Sequence, residues 1–210
     1  MRQDWVIDHF SFTARLLYNK IYIFMITHTL ANICMAQQMD GKPTLVLMAG
    51  LPGAGKTTLA FALGKELGWP VLDKDRYKRF FLTNTSMADQ LASAFAYEIA
   101  FELTYDMLVH QRLSVIFDSA ALRTFVIKHA REIVFAADAQ LKVVLCSASC
   151  EVRRSRVTQR TVSTGALNAD IMAIENDIQL FPHLPANTLI LHTAKPLAEY
   201  IDTAIVYLKT

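Results

Sequence analysis

Residues 50–58 read Gly-Leu-Pro-Gly-Ala-Gly-Lys-Thr-Thr, which satisfies the pattern GxxxxGK[ST]. Glycines at this spacing let successive backbone N–H groups turn inward around a polyphosphate, and the helix that follows favours an anion at its N-terminus. The pattern assigns the Lys56 ammonium to the β and γ phosphates and the Thr57 hydroxyl to Mg²⁺. We therefore predict a nucleoside triphosphate site built by these residues: Gly50, Gly53, Ala54, Gly55, Lys56, Thr57 and Thr58.

The flanking sequence supports a strand, then the loop, then a helix. Residues 44–49 form a short apolar run with β-branched members between Pro43 and Gly50, which is typical of a buried parallel strand. After the loop, leucines and alanines recur at helical spacing until Gly68, which predicts a helix that ends at this glycine. This context disfavours a glycine-rich turn that carries a lysine by chance.

The chain has 210 residues, of which 53% are hydrophobic, and this fits one α/β domain with a substantial core. We expect the domain at residues 41–210, with residues 1–40 as an N-terminal extension that is helical or partly disordered. The apolar stretch 16–36 is interrupted by a lysine, a histidine and two asparagines, so no membrane span is expected. Two alternatives stay open: an amphipathic helix docked on the domain, or a segment upstream of a functional start near Met35 or Met39.

The formal net charge is +2, so the composition carries no strong signal for nucleic acid or for a membrane surface. The three cysteines, Cys34, Cys146 and Cys150, lack partners at zinc-site spacing. An odd number of cysteines at this spacing favours a reduced, cytoplasmic protein. We expect the protein to be a monomer or a dimer. We expect it to bind a small-molecule or nucleotide-like acceptor.

Beyond the first strand, the sequence alternates between apolar runs and helical patterns. Four further strands are predicted: 69–72, 114–118, 141–146 and 188–191. Such alternation implies right-handed crossovers and a parallel sheet covered on both faces, with ligands bound beyond the carboxyl ends of the strands. This rule places Gly50, Asp75 and Asp118 on one rim.

A long helix is predicted from an N-cap at Ser86 to about residue 112, because apolar residues repeat there every four positions. It carries four aromatic residues: Phe95, Tyr97, Phe101 and Tyr105. These side chains either wall a substrate pocket or pack in the core, which is the commoner role of an apolar stripe.

Asp118 ends an apolar strand on the predicted rim. A carboxylate in this position, beside a phosphate loop, suits Mg²⁺ held through water opposite Thr57. Many strands also end in aspartate only to start a turn. We predict Asp118 and Thr57 as the metal site.

Asp75 follows the second strand, where a carboxylate can face the γ-phosphate from the far side and activate an acceptor hydroxyl. Asp73 either shares this task or caps the following turn. Arg76 and Arg79 lie nearby and are candidates for binding an anionic or polar substrate. Their alternative role is a solvated basic helix face.

Four of the eleven arginines lie within eight residues: Arg153, Arg154, Arg156 and Arg160. Arg156 and Arg160 are four positions apart, so they project from one helical face, and a mobile segment can bring them onto the phosphates. The small, polar residues 161–165 are typical of a hinge or lid. Because guanidinium groups stabilise transition-state charge on phosphates, we predict catalytic roles for Arg156 and Arg160, against a surface charge run as the alternative.

The glycine loop, Asp-Lys-Asp-Arg after strand two, Phe-Asp-Ser after strand three and the arginine-rich segment 155–160 together resemble a family. They are similar to the small P-loop kinases that include polynucleotide 5′-kinase, the zeta toxins and chloramphenicol phosphotransferase, often labelled AAA-type ATP-binding proteins. The resemblance covers residues 42–209. It implies a three-layer α/β P-loop NTPase fold, with a five-stranded parallel sheet of order 2-3-1-4-5 and helices on both faces.

The resemblance also implies roles for particular residues. Asp75 is expected to act as general base or substrate anchor, and Arg123 to contact the substrate. Adenine is expected near residues 192–195, beside the lid.

The leading hypothesis is an ATP- and Mg²⁺-dependent kinase that transfers the γ-phosphate to a hydroxyl of its acceptor. One alternative is an NTPase switch that hydrolyses ATP without a small acceptor. The other is a toxin or a nucleic-acid-end kinase on the same scaffold. A GTPase is disfavoured because no Asn-Lys-x-Asp follows the glycine loop.

Overall fold

A computed structural model describes residues 41–119, 124–161 and 183–210 of the chain. Five strands form one sheet: β1 Thr44–Ala49, β2 Val71–Asp73, β3 Val115–Asp118, β4 Gln140–Ser147 and β5 Leu189–His192. Every pairing is parallel, and the order is β2-β3-β1-β4-β5. The predicted fold class and strand order are confirmed.

Within the described ranges, six α-helices accompany the sheet: α1 Lys56–Leu67, α2 Lys74–Asn84, α3 Asp89–Tyr105, α4 Thr124–Ala136, α5 Cys150–Thr161 and α6 Ile201–Lys209. The helix α3 continues as a π-helical turn, Asp106–His110, and a 3-10 turn, Leu197–Glu199, precedes α6. In this part of the chain, no helix is long and apolar enough to cross a bilayer. The predictions for residues 1–40, for Arg123 and for the loop after residue 161 fall outside the described residues.

The core lies on both faces of the sheet because β1 is buried throughout and its side chains alternate. Leu45 and Leu47 pack with apolar residues of α3 and α4 on one face. Val46 and Met48 pack with residues of α1 and α6 on the other. Burial of each such side chain contributes about 1.5–3 kcal/mol, so the central strand and the loop that leaves it are held firmly from two sides.

A helix, α2, begins directly after β2 at Lys74. The Asp73 carboxylate accepts a hydrogen bond of 3.1 Å from the Arg76 N–H and caps this helix. Of the two roles considered for Asp73, sharing the task of Asp75 or capping the following turn, the structure shows capping. The polar composition of α2 leaves only three buried residues, Lys74, Tyr77 and Phe81, and so gives a weak apolar pattern.

The start predicted for the long helix is wrong, since α3 is preceded by Ala88 and not capped by Ser86. Thr85 explains the difference. Its hydroxyl donates to the Phe81 carbonyl oxygen at 2.8 Å and accepts from the Met87 N–H at 3.1 Å, so this segment ends α2 and turns the chain before α3 can begin.

The four aromatic residues of α3 divide between the core and the surface. Phe101 is buried and stacks on Phe117 with ring centroids 5.1 Å apart. Tyr97 is half-buried, whereas Phe95 and Tyr105 are 45% and 38% exposed. Of the two roles considered for this stripe, core packing holds for Phe101.

Candidate functional site

The glycine loop joins β1 to α1 and lies against the backbone of two neighbouring segments. At Gly50, a Cβ atom would lie 2.3 Å from the carbonyl oxygen of Cys146, and at Gly53, 2.6 Å from that of Arg153. Both glycines have positive φ, 134° and 81°. Side chains are therefore excluded on steric grounds, and the loop backbone is kept close to β4 and α5.

The helix α1 begins at Lys56, and its first turn contains no acidic residue. The partial positive charge of its N-terminus is therefore available to an anion. The Lys56 ammonium donates a hydrogen bond of 3.1 Å to the carbonyl oxygen of Leu51, which holds the side chain over the loop. The helix dipole and the ammonium together give the loop a positive charge that suits phosphate binding.

Asp118 lies at the end of β3, where it is 4% exposed, and it accepts a hydrogen bond from the Thr57 hydroxyl. Among the described residues, its Oδ1 atom is buried without a hydrogen-bond partner. Burial raises the pKa of the Asp118 carboxyl to about 6; the Thr57 hydroxyl and Lys56 oppose this increase, and Asp73 and Asp75 add to it.

A hydroxyl beside a carboxylate with an unsatisfied buried oxygen fits Mg²⁺. This ion prefers hard oxygen ligands and keeps several of its waters, which can donate to the free oxygen. A cation here would also restore the ionised form of Asp118. The predicted pair, Thr57 and Asp118, is thus brought together by α1 and β3.

Asp75 lies in the first turn of α2, beyond the end of β2, with its side chain 70% exposed. Its carboxylate accepts a hydrogen bond of 2.7 Å from Lys74, whose side chain is only 10% exposed. Partial desolvation by the surrounding protein raises the pKa of this carboxyl, but the charge and hydrogen bond of Lys74, with weaker attraction from Lys56 and Lys78, outweigh the desolvation and hold the pKa of Asp75 below its usual value.

The strand pairing brings these carboxylates to one rim, because Asp73 and Asp118 are partners in the β2–β3 register. Asp75 follows two residues later. Arg79 is exposed on α2, and its position four residues after Asp75 places both on one face of the helix. Arg123 lies outside the described residues.

The arginine-rich helix α5 does not present its arginines as one group. Arg153 is fully buried, and its Nε donates to the Ala148 carbonyl oxygen at 3.1 Å, so the alternative of a surface charge run does not hold for this residue. Arg154 is exposed. Arg156 instead faces the glycine loop, where it donates to the Gly53 carbonyl oxygen at 3.3 Å. The side chain of Arg160 is outside the description.

Thr193, just after β5, lies within residues 192–195, which were predicted to be near adenine, but no individual role was predicted for it. Its buried hydroxyl donates to the Ala54 carbonyl oxygen at 2.7 Å, and its own carbonyl oxygen accepts a hydrogen bond of 2.5 Å from Arg156. Thr193 and Arg156 therefore bind the loop and each other. A single threonine after a strand carries no motif, and only its position in the sheet brings it here.

A cavity of about 440 Å³ lies beside the loop, between the start of α1, the helix α5 and the segment after β5. Its lining includes Thr58, Arg156, Gln159, Lys195 and Tyr200. The position predicted for adenine, residues 192–195, borders this cavity through Lys195. Its place next to the loop suits the nucleoside part of a nucleotide whose phosphates occupy the loop.

Comparison with known proteins agrees with this fold. One solved structure, a candidate kinase from Chloroflexus aurantiacus, has a TM-score of 0.69 and 22% identity, and the match covers 81% of this chain and 98% of that one. A gluconokinase from Sinorhizobium meliloti has a TM-score of 0.54 and 19% identity, over 80% and 92% of the two chains. The APS kinase of Mycobacterium tuberculosis, in complex with AMPPNP and APS, has a TM-score of 0.55 and 19% identity, over 80% and 99%.

At these identities the likeness shows that the chain shares the fold of P-loop kinases. None of these three is described as a polynucleotide 5′-kinase, a zeta toxin or a chloramphenicol phosphotransferase, so the narrower resemblance stays a prediction. No curated protein matches the sequence. The model of a family described as AAA domain matches residues 45–181, more than half of the chain, and the chain therefore belongs to the AAA domain family.

Proposed function

We propose that this protein is a kinase that transfers the γ-phosphate of ATP to a hydroxyl of a small-molecule or nucleotide-like acceptor. The observation that carries the proposal is the buried Oδ1 of Asp118, which has no hydrogen-bond partner among the described residues and lies beside the Thr57 hydroxyl, next to the glycine loop. The fold shared with several kinases supports it.

In this proposal the loop residues Gly50 to Thr58 hold the phosphates of ATP through backbone N–H groups, and Lys56 contacts the β and γ phosphates. Thr57 and Asp118 hold Mg²⁺, which neutralises charge on the phosphates when bound. Arg156 and Arg160 stabilise the charge that develops during transfer. Water is excluded when the acceptor and nucleotide fill the rim.

Asp75 receives the acceptor hydroxyl. Its lowered pKa keeps the carboxylate ionised at neutral pH, so that it accepts a hydrogen bond from the hydroxyl and orients the attacking oxygen towards the γ-phosphate. The proton passes to Asp75 as the bond to phosphorus forms. Arg79 and Arg123 are proposed to bind the remainder of the acceptor.

The proposal is tested by incubating the protein with ATP, Mg²⁺ and a panel of metabolites, and reading products by mass for one added phosphate. Lys56→Ala should reduce transfer by about 10²–10³-fold, as is usual when one preorganised charge donor is removed. Lys65→Ala, an exposed lysine of the same helix, is the matched control.

Unchanged product formation by Lys56→Ala would overturn the proposal. ADP release that is equally fast with and without every acceptor would instead favour an NTPase switch. If expression of the protein arrested growth and Asp75→Asn relieved this arrest, the acceptor would be an essential metabolite of the cell. This result would support the toxin alternative.

A further inference from the structure

A second cavity, of about 590 Å³, lies where α2, α3 and the start of α4 meet. Its volume falls within the range typical of small-molecule sites. The residues that define its chemistry come from all three helices: Lys78, Asp89, Gln90, Tyr97, Glu98 and Phe125. None of these belongs to the phosphate loop or to the proposed metal site.

The charge in this cavity is negative. The Lys78 ammonium is 2.8 Å from the Asp89 carboxylate, so the cation is already paired. Glu98 also lines the cavity, and within the described ranges it forms no ion pair. A carboxylate accepts hydrogen bonds and repels anions, so the lining favours a ligand that donates hydrogen bonds and carries no negative group.

Two aromatic rings give the cavity an apolar wall. The rings of Tyr97 and Phe125 meet edge to face, with centroids 5.1 Å apart. An aromatic surface packs against the C–H groups of a ligand, while nearby polar groups such as the Gln90 amide bind its hydroxyls. This combination suits a molecule with apolar C–H faces and a hydroxylated edge.

Lys74 connects this cavity with the proposed reaction centre. Its buried ammonium is 2.7 Å from the Asp75 carboxylate and 4.8 Å from the centroid of the Tyr97 ring. The same tyrosine that lines the cavity thus contacts the lysine that holds Asp75. One side chain, that of Lys74, therefore separates Tyr97 from the carboxylate that is proposed to receive the acceptor hydroxyl.

From these observations we infer that the cavity binds the acceptor, and that the acceptor is an uncharged, polyhydroxylated molecule such as a sugar, a polyol or a nucleoside. The inference rests on the proposed kinase function and names its substrate class. Glu98 accepts hydrogen bonds from acceptor hydroxyls and excludes acceptors that carry a carboxylate or phosphate group.

The test uses matched probes that differ in charge: neutral sugars, polyols and nucleosides, each with its carboxylic acid or phosphate ester. The neutral member should be phosphorylated with a kcat/KM about tenfold or more above that of its anionic counterpart. Glu98→Gln should raise the KM for the neutral acceptor about tenfold and leave the KM for ATP unchanged. Glu98→Lys should shift the preference towards the anionic member of a pair.

Glu102→Gln, an exposed glutamate one turn further along α3, controls for a general effect on the helix and should change neither KM. A direct binding measurement, saturation-transfer NMR with glucitol and gluconate, should show contact with glucitol in the wild type and its loss in Glu98→Lys. This readout does not depend on activity.

The substrate class would be overturned, and the kinase function would stand, if Lys56-dependent transfer occurred only to anionic acceptors. The same conclusion would follow if the Glu98 variants behaved as Glu102→Gln does. ATP hydrolysis without any phosphorylated product would overturn the kinase function. In that case, the cavity is still supported as a site for neutral polyols if the wild type binds glucitol and Glu98→Lys does not. If the wild type does not bind glucitol, the assignment of the cavity is overturned.

Discussion

The Lys74 ammonium lies 2.7 Å from the Asp75 carboxylate, although the two side chains differ sharply in exposure, 10% for the lysine and 70% for the aspartate. The lysine reaches this position from the buried side of α2, where it also lies over the Tyr97 ring. An ammonium held in a buried position loses less side-chain entropy on pairing than one on an exposed stem. The pair therefore fixes both the charge and the direction of the Asp75 carboxylate.

Lys74→Met should raise the pKa of Asp75, because it removes the largest attraction that lowers this pKa and leaves the partial desolvation that raises it. In the proposed mechanism, activity requires the ionised carboxylate and falls as the pH drops through this pKa, which in the wild type lies below the usual value of 3.8. The acid limb of the kcat/KM profile should therefore move to higher pH in the variant, as measured from about pH 3 to pH 8.

Lys78→Met is the matched control for this effect, since Lys78 contributes a weaker attraction and pairs with Asp89. It should move the acid limb less than Lys74→Met does. Equal profiles for Lys74→Met and the wild type would show that Lys74 does not set the ionisation of Asp75.

Asp118 should make the nucleotide-free protein less stable as the pH rises. Burial raises its pKa from 3.8 to about 6, so the folded state binds the proton more tightly than the unfolded state does. This contribution is greatest below pH 3.8 and is lost as the pH rises to about 6. At about 1.4 kcal/mol for each pKa unit, the loss amounts to about 3 kcal/mol.

Asp118→Asn removes this ionisation and should raise the free energy of unfolding at pH 8 by about 2–3 kcal/mol, measured with urea in the absence of nucleotide. The same variant should lose the stabilisation that Mg²⁺ with ATP confers on the wild type. Asp138→Asn is the control, because Lys42 lowers the pKa of this exposed carboxyl and its pH effect has the opposite sign. If Asp118→Asn were no more stable than the wild type at pH 8, this result would contradict a destabilising charge on buried Asp118.

Gly53 and Gly55 form a matched pair within the loop, with φ values of 81° and 86°. A Cβ atom at Gly55 has its nearest neighbour at 3.6 Å, whereas one at Gly53 would lie 2.6 Å from the Arg153 carbonyl oxygen. Gly55→Ala should cost about 1–2 kcal/mol from backbone strain alone. Gly53→Ala should cost clearly more in urea unfolding, because α5 must move, and equal costs would argue against the close contact.

Arg156→Met should weaken ATP binding as well as phosphoryl transfer. Its guanidinium binds carbonyl oxygens of Gly53 and Thr193, so its loss releases the loop from the segment after β5. We expect kcat/KM for ATP to fall about tenfold or more, with Arg156→Lys recovering only part because it lacks the planar fork. Kd for ATP is measured by calorimetry alongside kcat.

Arg154→Met provides the comparison, because Arg154 is exposed on the same helix. It should leave both Kd and kcat near the wild-type values. If Arg156→Met behaves in the same way, the role proposed for Arg156 is wrong.

Local patterns were enough to predict the first strand, the glycine loop and the helix that follows it. The first strand was expected at residues 44–49 and is observed at Thr44–Ala49, and the following helix ends at Gly68 as predicted. These elements are specified by neighbours in sequence: a buried β-branched run, a loop that needs glycines, and a helix that stops at a residue with positive φ. The rule for parallel sheets then located Asp118 on the rim.

Contacts between segments that are distant in sequence could not be predicted from local patterns. Arg153 and Arg156 are three residues apart in one basic helix, yet one is fully buried and the other binds the glycine loop. Thr193 reaches Ala54 across 139 positions of the chain. Which face of a helix meets the sheet depends on packing with residues far away in sequence, and charge clustering alone does not reveal it.

The sequence by itself determined the parallel α/β fold and the phosphate loop, because both depend on short-range periodicity and on backbone geometry that only glycine adopts readily. Only the tertiary structure decided which side chains surround that loop and what lies across the rim from it. Lys74, which holds Asp75, contacts Tyr97 through the packing of α2 against α3, and the same packing forms the second cavity, which Glu98 lines. Helix packing therefore determines the surroundings of Asp75, where the acceptor is proposed to bind.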